Sequence, residues 1–151
     1  MLTLRRILVP IDDSPLSDKV LDHALTLAER FAAHLFVLYV RAETRPTTID
    51  DQARDEAEFD AEFAAVRDIA MKRLRAGHTL PADHIHASVL TGTPLDCILT
   101  AAGDHAVDLI VMGTHGPKSL SQRLIGTTTE RVLLQAKCAL FVVREDEPLP
   151  T

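Results

Sequence analysis

The residues of this chain best suited to chemistry are small ones, spaced as a cradle for an anion. Gly113 and Gly116 follow an apolar stretch, and nine residues later Gly126, Thr127 and Thr128 open a helix-like segment. Glycine admits positive φ and has no Cβ to shield its N–H, so a phosphate can approach the main chain closely. The first turn of a helix adds unpaired N–H donors and a positive dipole end, and threonine hydroxyls add further donors. The spacing therefore predicts a two-sided phosphate site.

Ordinary turn chemistry is the plainer interpretation of the same residues. Strand-to-helix joints use glycine in turns, and the run from Thr127 to Glu130 has the pattern of a capping box. The two glycine clusters together, after an apolar strand and before a helix, favour phosphate binding. Two standard nucleotide motifs are absent: no Gly-Lys-Ser/Thr follows the second cluster, as a Walker A loop requires, and no Gly-x-Gly-x-x-Gly follows the first strand, as the Rossmann fingerprint requires.

The elements that must position these residues alternate between apolar runs and segments of helical period. Strands are predicted at residues 6–11, 35–40, 85–90, 109–112 and 139–143, and helices at residues 14–31, 51–76, 93–102 and 128–136, the first capped by Ser14 and the third by Thr93. Strands that are apolar without alternation are covered by helices on both faces. The order predicts an α/β fold, an open doubly wound five-stranded parallel sheet with strand order 3-2-1-4-5.

A crevice is expected where the winding of such a sheet reverses, outside the carboxyl ends of the strands. With the first and fourth strands as neighbours, Asp12 and Gly113 face the same crevice, and Val40, near the end of the second strand, lies close by. The polar connection over residues 41–51 is long enough to invite a role as a lid. Residues far apart in sequence are therefore expected to converge on one site.

Length and composition limit the classes of protein. The 151 residues, 46% hydrophobic, suit one domain over residues 1–151. A formal net charge of −6, with no basic run longer than Arg5–Arg6, argues against a nucleic-acid partner. No secretory leader or membrane helix is evident, so we expect a soluble, cytoplasmic protein with Cys97 and Cys138 as reduced, buried thiols.

With these features in place, the chain closely resembles the universal stress protein family, in its nucleotide-binding branch. That branch carries Gly-x-x-Gly, nine residues, then Gly-Ser/Thr, and Gly113, Gly116, Gly126 and Thr127 match it position for position. The likeness also includes residues 7–12 followed by Ser14, residues 108–116 and residues 126–132, so it covers nearly the whole chain. The chain departs from the commonest pattern at Thr127–Thr128, Pro117–Lys118 and Ala139.

The resemblance implies ATP as the ligand, accompanied by Mg²⁺. Asp12 and the backbone at Val40 would hold adenine, and Met112 and Gly113 would lie beside the ribose. The loop residues and the start of the last helix would bind the phosphates. His115 would either contact a phosphate as a cation or simply be exposed in the loop. The residues implied for binding are Pro10, Ile11, Asp12, Val40, Met112, Gly113, His115, Gly116, Gly126, Thr127 and Thr128.

The resemblance further implies a homodimer that pairs residues 139–143 across a two-fold axis, which would protect an apolar edge strand. No catalytic triad is evident, and Asp13, His115 and Lys118 are the only loop candidates for hydrolysis. We therefore expect a nucleotide-dependent stress-response or signalling module with little or no turnover and with a possible protein partner. A slow ATPase and a nucleotide-free dimeric scaffold are the alternatives.

His84 and His86 lie two residues apart on one face of the predicted third strand. Two imidazoles at this spacing are compatible with a metal site, but no third ligand is evident in the sequence. A solvated face of an edge strand explains them better. We therefore assign no residue of the chain as a metal ligand.

Overall fold

The computed structural model describes residues 2–43, 47–114 and 125–145, and in them the predicted fold is confirmed. Five parallel strands form one sheet in the order β3-β2-β1-β4-β5. The elements are β1 Arg6–Ile11, α1 Leu16–Phe31, β2 His34–Arg41, α2 Ile49–Arg75, β3 Ile85–Thr91, α3 Pro94–Asp104, β4 Leu109–Gly113, α4 Thr127–Gln135 and β5 Ala139–Val143, with a 3-10 turn at Ala82–His84 before β3. None of the helices in the described ranges combines the length and apolar character needed to cross a bilayer.

The sheet separates two apolar layers. Ile7 and Val9 of β1 pack with α1 and α2 on one side, whereas Leu8 of β1 and Ile110 of β4 pack with α3 and α4 on the other. Both faces of the central strands are therefore buried, which is why their sequences are apolar without alternation. Cys97 is buried and Cys138 half-buried, both are free thiols, and burial raises the pKa of each.

Some of the predicted helix caps differ from those in the structure. α1 begins at Leu16, and Pro15 occupies the cap position without a side-chain hydrogen bond. The predicted cap at Ser14 is therefore wrong. At the start of α4, Gly126 is the cap residue, and the capping box that was the alternative interpretation of residues 127–130 is not formed because those residues already lie inside the helix. The predicted cap at Thr93 is confirmed, since its hydroxyl accepts from the N–H of Asp96.

The predicted connection over residues 41–51 is shorter than the sequence indicates. β2 extends through Arg41, and α2 begins at Ile49 because the side chain of Thr48 accepts from the N–H of Asp51 as an N-cap. Residues 44–46 of this connection lie outside the described residues. A role as a lid therefore stays a prediction.

Arg41, at the carboxyl end of β2, forms ion pairs with α2. Its side chain is buried, and its guanidinium contacts Asp55 at 2.8 Å and Glu62 at 3.2 Å. The guanidinium carbon also lies 5.7 Å from the ring centroid of Phe59. These contacts hold the helix over the sheet directly beside Val40, one of the predicted site residues.

Candidate functional site

The crevice lies between the carboxyl ends of β1 and β4, where the sheet changes its direction of winding. Backbone pairing joins Ile7 to Leu109 and Leu8 to Ile110, and it does not extend into the carboxyl halves of these two described strands. β1 is followed by α1 on one face of the sheet, and β4 leads to α4 on the other. The turns after β1 and β4 therefore form the two walls of the site.

Asp12 directly follows β1 and uses one carboxylate oxygen to build the turn into α1. Its Oδ1 accepts hydrogen bonds from the N–H of Ser14 at 2.8 Å and from the hydroxyl of Ser17 at 3.0 Å. The N–H of Asp12 in turn donates to Ser17 Oγ at 2.9 Å. Oδ2 makes no hydrogen bond within the described part of the chain, and the residue is half-buried. The carboxylate is thus held in place with a free acceptor.

Asp13, unlike Asp12, has its carboxylate bound by a neighbouring tyrosine. It is exposed, and its Oδ2 accepts from the hydroxyl of Tyr39 at 3.2 Å. Burial raises the pKa of Tyr39, and the negative charge of Asp13 raises it further. Tyr39 is therefore a neutral donor at physiological pH, and it holds Asp13 on the α1–α2 side of the sheet.

The apolar residues predicted at the strand ends differ in how exposed their side chains are. Ile11 and Met112 are 7% and 6% exposed and belong to the cores on opposite sides of the sheet, so their side chains are not open to a ligand. Pro10 and Val40 are half-buried. Val40 packs against the layer formed with α3 and α4, so its side chain is the one suited to contact a planar base.

Gly113 is required for packing rather than for positive φ. Among the described glycines only Gly77 and Gly92 have positive φ, so the conformational reason predicted for Gly113 is wrong. A Cβ at Gly113 would lie 2.6 Å from Cδ2 and 3.2 Å from Cγ of Leu16, the first residue of α1. The absence of a side chain lets the start of α1 approach the end of β4, which brings the two walls of the crevice together.

Thr129 and Thr114 also fix these walls, and the sequence did not single them out. The buried hydroxyl of Thr129 donates to the carbonyl of Gly113 at 2.8 Å, which ties the first turn of α4 to β4. Thr114 donates its N–H to the carbonyl of Val143 in β5 at 3.0 Å. Its buried hydroxyl has no partner within the described residues. No sequence signal distinguishes Thr129 from Thr127 and Thr128, because its role depends on which way the helix faces.

The N-terminus of α4 supplies the donors, although not from the glycine predicted to do so. Gly126 has φ −69° and ψ 155°, an extended conformation, and its N–H donates to the carbonyl of Thr114 at 2.5 Å. Its N–H is therefore not open to a ligand. The next three N–H groups, of Thr127, Thr128 and Thr129, make no hydrogen bond to any described residue, and no side chain caps the helix. They form an open donor set with the positive end of the helix dipole.

Two predicted residues, His115 and Gly116, lie outside the described residues, as does Lys118. Their contributions stay predictions. Within the ranges that are described, no group of three or more histidine, cysteine or acidic side chains is arranged to hold a metal ion.

Comparisons with known proteins agree with this architecture. The chain matches the sequence profile of the universal stress protein family over residues 3–144. A universal stress protein of Methanocaldococcus jannaschii is 29% identical over 150 residues, which cover 93% of this chain and 82% of that protein. A universal stress protein structure from Lactobacillus plantarum has a TM-score of 0.78 at 29% identity and covers 95% of this chain and 100% of its own.

Two further solved structures are similar in fold and hold adenine nucleotides. One is a universal stress protein in complex with cAMP, with a TM-score of 0.69 at 22% identity over 95% of this chain and 98% of its own. The other is the universal stress protein of Archaeoglobus fulgidus in complex with dAMP, with a TM-score of 0.63 at 18% identity over 95% of this chain and 100% of its own. At these identities, the likeness concerns the fold alone.

Proposed function

Because this chain belongs to the universal stress protein family, we propose that it binds ATP in the crevice between β1 and β4. In this proposal it acts as a dimeric, nucleotide-dependent stress-response module with little or no turnover. One observation carries the proposal: in the turns that follow β4 and β1, the N–H groups of Thr127 to Thr129 and Oδ2 of Asp12 make no hydrogen bond to any residue that the structure describes. A nucleotide has complementary groups at its two ends, an anionic phosphate chain and a base with an exocyclic amine.

The ligand would lie across the carboxyl ends of the strands. Adenine would place its amine against Asp12 and its ring against Val40, and the ribose would lie beside the main chain at Met112 and Gly113. The phosphates, with Mg²⁺, would reach the first turn of α4 and the loop over residues 115–118. The cAMP and dAMP complexes of proteins with this fold support adenine as the base. The engagement of Asp13 by Tyr39 supports binding rather than turnover, because it occupies a candidate for orienting water.

An acid extract of freshly purified protein, separated by anion-exchange chromatography, tests this function. We expect ATP in an amount approaching one nucleotide per chain. ADP in its place would favour the slow ATPase. An empty extract, combined with no uptake of Mg-ATP in equilibrium dialysis at millimolar concentration, would leave only the nucleotide-free scaffold.

The proposed homodimer would form through β5. This strand is an edge of the sheet, and its sequence is apolar throughout, with Phe141 37% exposed. Leu133 and Leu134, on the preceding helix α4, are 55% and 76% exposed. The opposite edge, β3, carries polar side chains along its length. An unpaired apolar edge favours association with a second copy, and two-fold symmetry lets the same strand pair with itself.

Light scattering after size exclusion at micromolar concentration measures this assembly. We expect a mass of twice the 16.6 kDa chain for the wild type. The Phe141→Lys variant should be monomeric, because two lysines would face each other across the symmetry axis at an apolar edge. Phe63→Lys is the matched control, since Phe63 is 39% exposed on α2, and it should remain dimeric. A monomeric wild type would rule out the dimer.

A further inference from the structure

Four histidines and a phenylalanine form a continuous row of rings at the amino ends of β2 and β3. We call His34, Phe36, His84, His86 and His105 the histidine row. His34 stacks on His84 with ring centroids 4.1 Å apart and lies 5.2 Å from His86. Phe36 lies between His86 and His105, at 4.8 Å and 4.3 Å. His86 is exposed on the edge strand β3, as expected, and His84 is half-buried, but both rings also contact other rings of the row.

Strand register and the end of one helix bring these rings together. Phe36 of β2 pairs with His86 of β3, and His34 at the start of β2 stacks on His84 at the end of the turn before β3. Side chains at i and i+2 share a face of the sheet, so the rings on β2, on β3 and at the end of this turn form a patch. His105 joins them because it is the C-cap residue of α3. The row therefore connects β2, the turn before β3, β3 itself and the end of α3.

Hydrogen bonding within the row limits how many protons it can hold. Nδ1 of His34 lies 2.9 Å from Nε2 of His86, so one ring must donate and the other accept. If both rings were protonated, two N–H groups would point at each other. Nδ1 of His84 donates to the carbonyl of Ala33 at 3.1 Å, so a further proton on that ring would go to Nε2. Each added proton also places positive charge against a neighbouring imidazole.

The charged groups around the row provide little compensation. Asp83, in the turn before β3, is the carboxylate that favours charge on His86. From β1, Arg6 donates to the carbonyl of His105 at 3.0 Å and so adds a cation at the end of α3. Asp108 accepts from the N–H groups of Arg5 and Arg6 at its Oδ2. Asp83 is therefore the one carboxylate shown to favour charge on His86, and Arg6 places a cation against His105.

We propose that the histidine row is an acid-sensitive switch on the β2–β3 edge. The row stabilises the contacts at this edge when its rings are mostly neutral and destabilises them when several rings carry protons. In the neutral state, stacking and the His34–His86 hydrogen bond join β2, the turn before β3, β3 and the end of α3. Protonation of neighbouring rings replaces these contacts by repulsion between like charges. The row lies at the amino ends of the strands, opposite the crevice, so this inference does not depend on nucleotide binding.

The sign of the pH dependence follows from His86. Burial of the ring lowers its pKa, and the neighbouring His34, His105 and His84 lower it further, against a smaller opposing effect of Asp83. The residue as a whole is exposed, but its ring has Phe36 and His34 as neighbours. Between the lowered pKa and the ordinary value of 6.5, the unfolded chain binds a proton that the folded chain does not. Stability is therefore complete above the ordinary value and decreases as the pH falls through this window.

Thermal unfolding followed by circular dichroism, in buffers with EDTA, compares the wild type with a variant of the row. Between pH values near 7.5 and near 5.5, we expect the wild-type Tm to fall by about 3 °C or more. The His86→Phe variant keeps an aromatic ring but cannot titrate, so its Tm should fall by less than about half as much. The control His23→Phe replaces a histidine of α1, a helix that packs on the side of the sheet opposite to Phe36 of the row, and should behave as the wild type. Equal losses in His86→Phe and the wild type would overturn the switch.

A measurement on the wild type alone keeps the proposal testable if His86→Phe does not fold. Hydrogen exchange, corrected for its intrinsic pH dependence, should accelerate about tenfold near pH 5.5 in residues 34–36 and 82–88. The amides of residues 109–113, in the central strand β4, should be unchanged and serve as the internal reference. Uniform acceleration across the sheet, or none in the row, would contradict a local switch.

Discussion

Replacing Gly126 by valine is expected to lower the affinity for Mg-ATP by at least about 100-fold, which corresponds to about 2.7 kcal/mol. Gly126 has φ −69° and ψ 155°, an extended conformation that valine also adopts, so the backbone is not strained. Its N–H can still donate to the carbonyl of Thr114. The branched side chain, however, would stand in front of the open N–H groups of Thr127 and Thr128, where the phosphates are proposed to bind. The variant should therefore fold but fail to retain nucleotide.

Isothermal titration with Mg-ATP and a thermal melt of the same sample separate these two effects. Gly103→Val is the matched control, because a Cβ at Gly103, in α3, meets no atom within 4 Å. It introduces the same side chain and should bind ATP as the wild type does. If Gly126→Val still carried ATP through purification, the first turn of α4 would not be the phosphate site.

Replacing Asp12 by asparagine is expected to weaken ATP binding by about 30-fold, or about 2 kcal/mol, and to change which base is preferred. The amide oxygen of asparagine can accept from Ser14 and Ser17 as Oδ1 does, so the turn after β1 should be retained. The amide nitrogen then takes the place of the free Oδ2. A donor would face the amine of adenine, which is also a donor, whereas it would match the carbonyl of hypoxanthine.

Titrations with ATP and with inosine triphosphate measure this exchange of preference. The ratio of the two affinities should favour ATP in the wild type and should move toward inosine triphosphate in Asp12→Asn. Asp13→Asn is the control, because Asp13 is exposed and accepts from Tyr39 instead of facing the crevice. An unchanged ratio in Asp12→Asn would show that Asp12 does not contact the base.

Much of the site could be located from the sequence because its positions are tied to the ends of elements. The apolar runs before Asp12 and Gly113 are strands, and the parallel order places their carboxyl ends at one edge of the sheet. The sequence pattern therefore indicates the residues that follow each strand. Their separate tasks were not, since the spacing alone gave Gly113 and Gly126 the same role.

The structure gives those two glycines different roles for steric reasons. At Gly113 a side chain would collide with Leu16, a residue nearly a hundred positions earlier in the chain. At Gly126 the N–H is already used by Thr114, and the open donors belong to the following threonines. Neither fact is local, because each depends on how closely α1 and α4 pack against the end of β4.

The sequence by itself determined the order of strands and helices, the parallel sheet and the edge at which a ligand would bind. These follow from local properties: the continuity of apolar runs, the period of helical segments and the residues that end them. Only the tertiary structure decided which oxygen of Asp12 and which N–H groups of α4 remain open, and that His34 and His105 join His84 and His86. The ring contacts depend on register and packing between segments about 20 to 70 residues apart, and the hydrogen bonds at Asp12 and Gly126 depend on the exact course of the backbone in the turns, neither of which residue types alone encode.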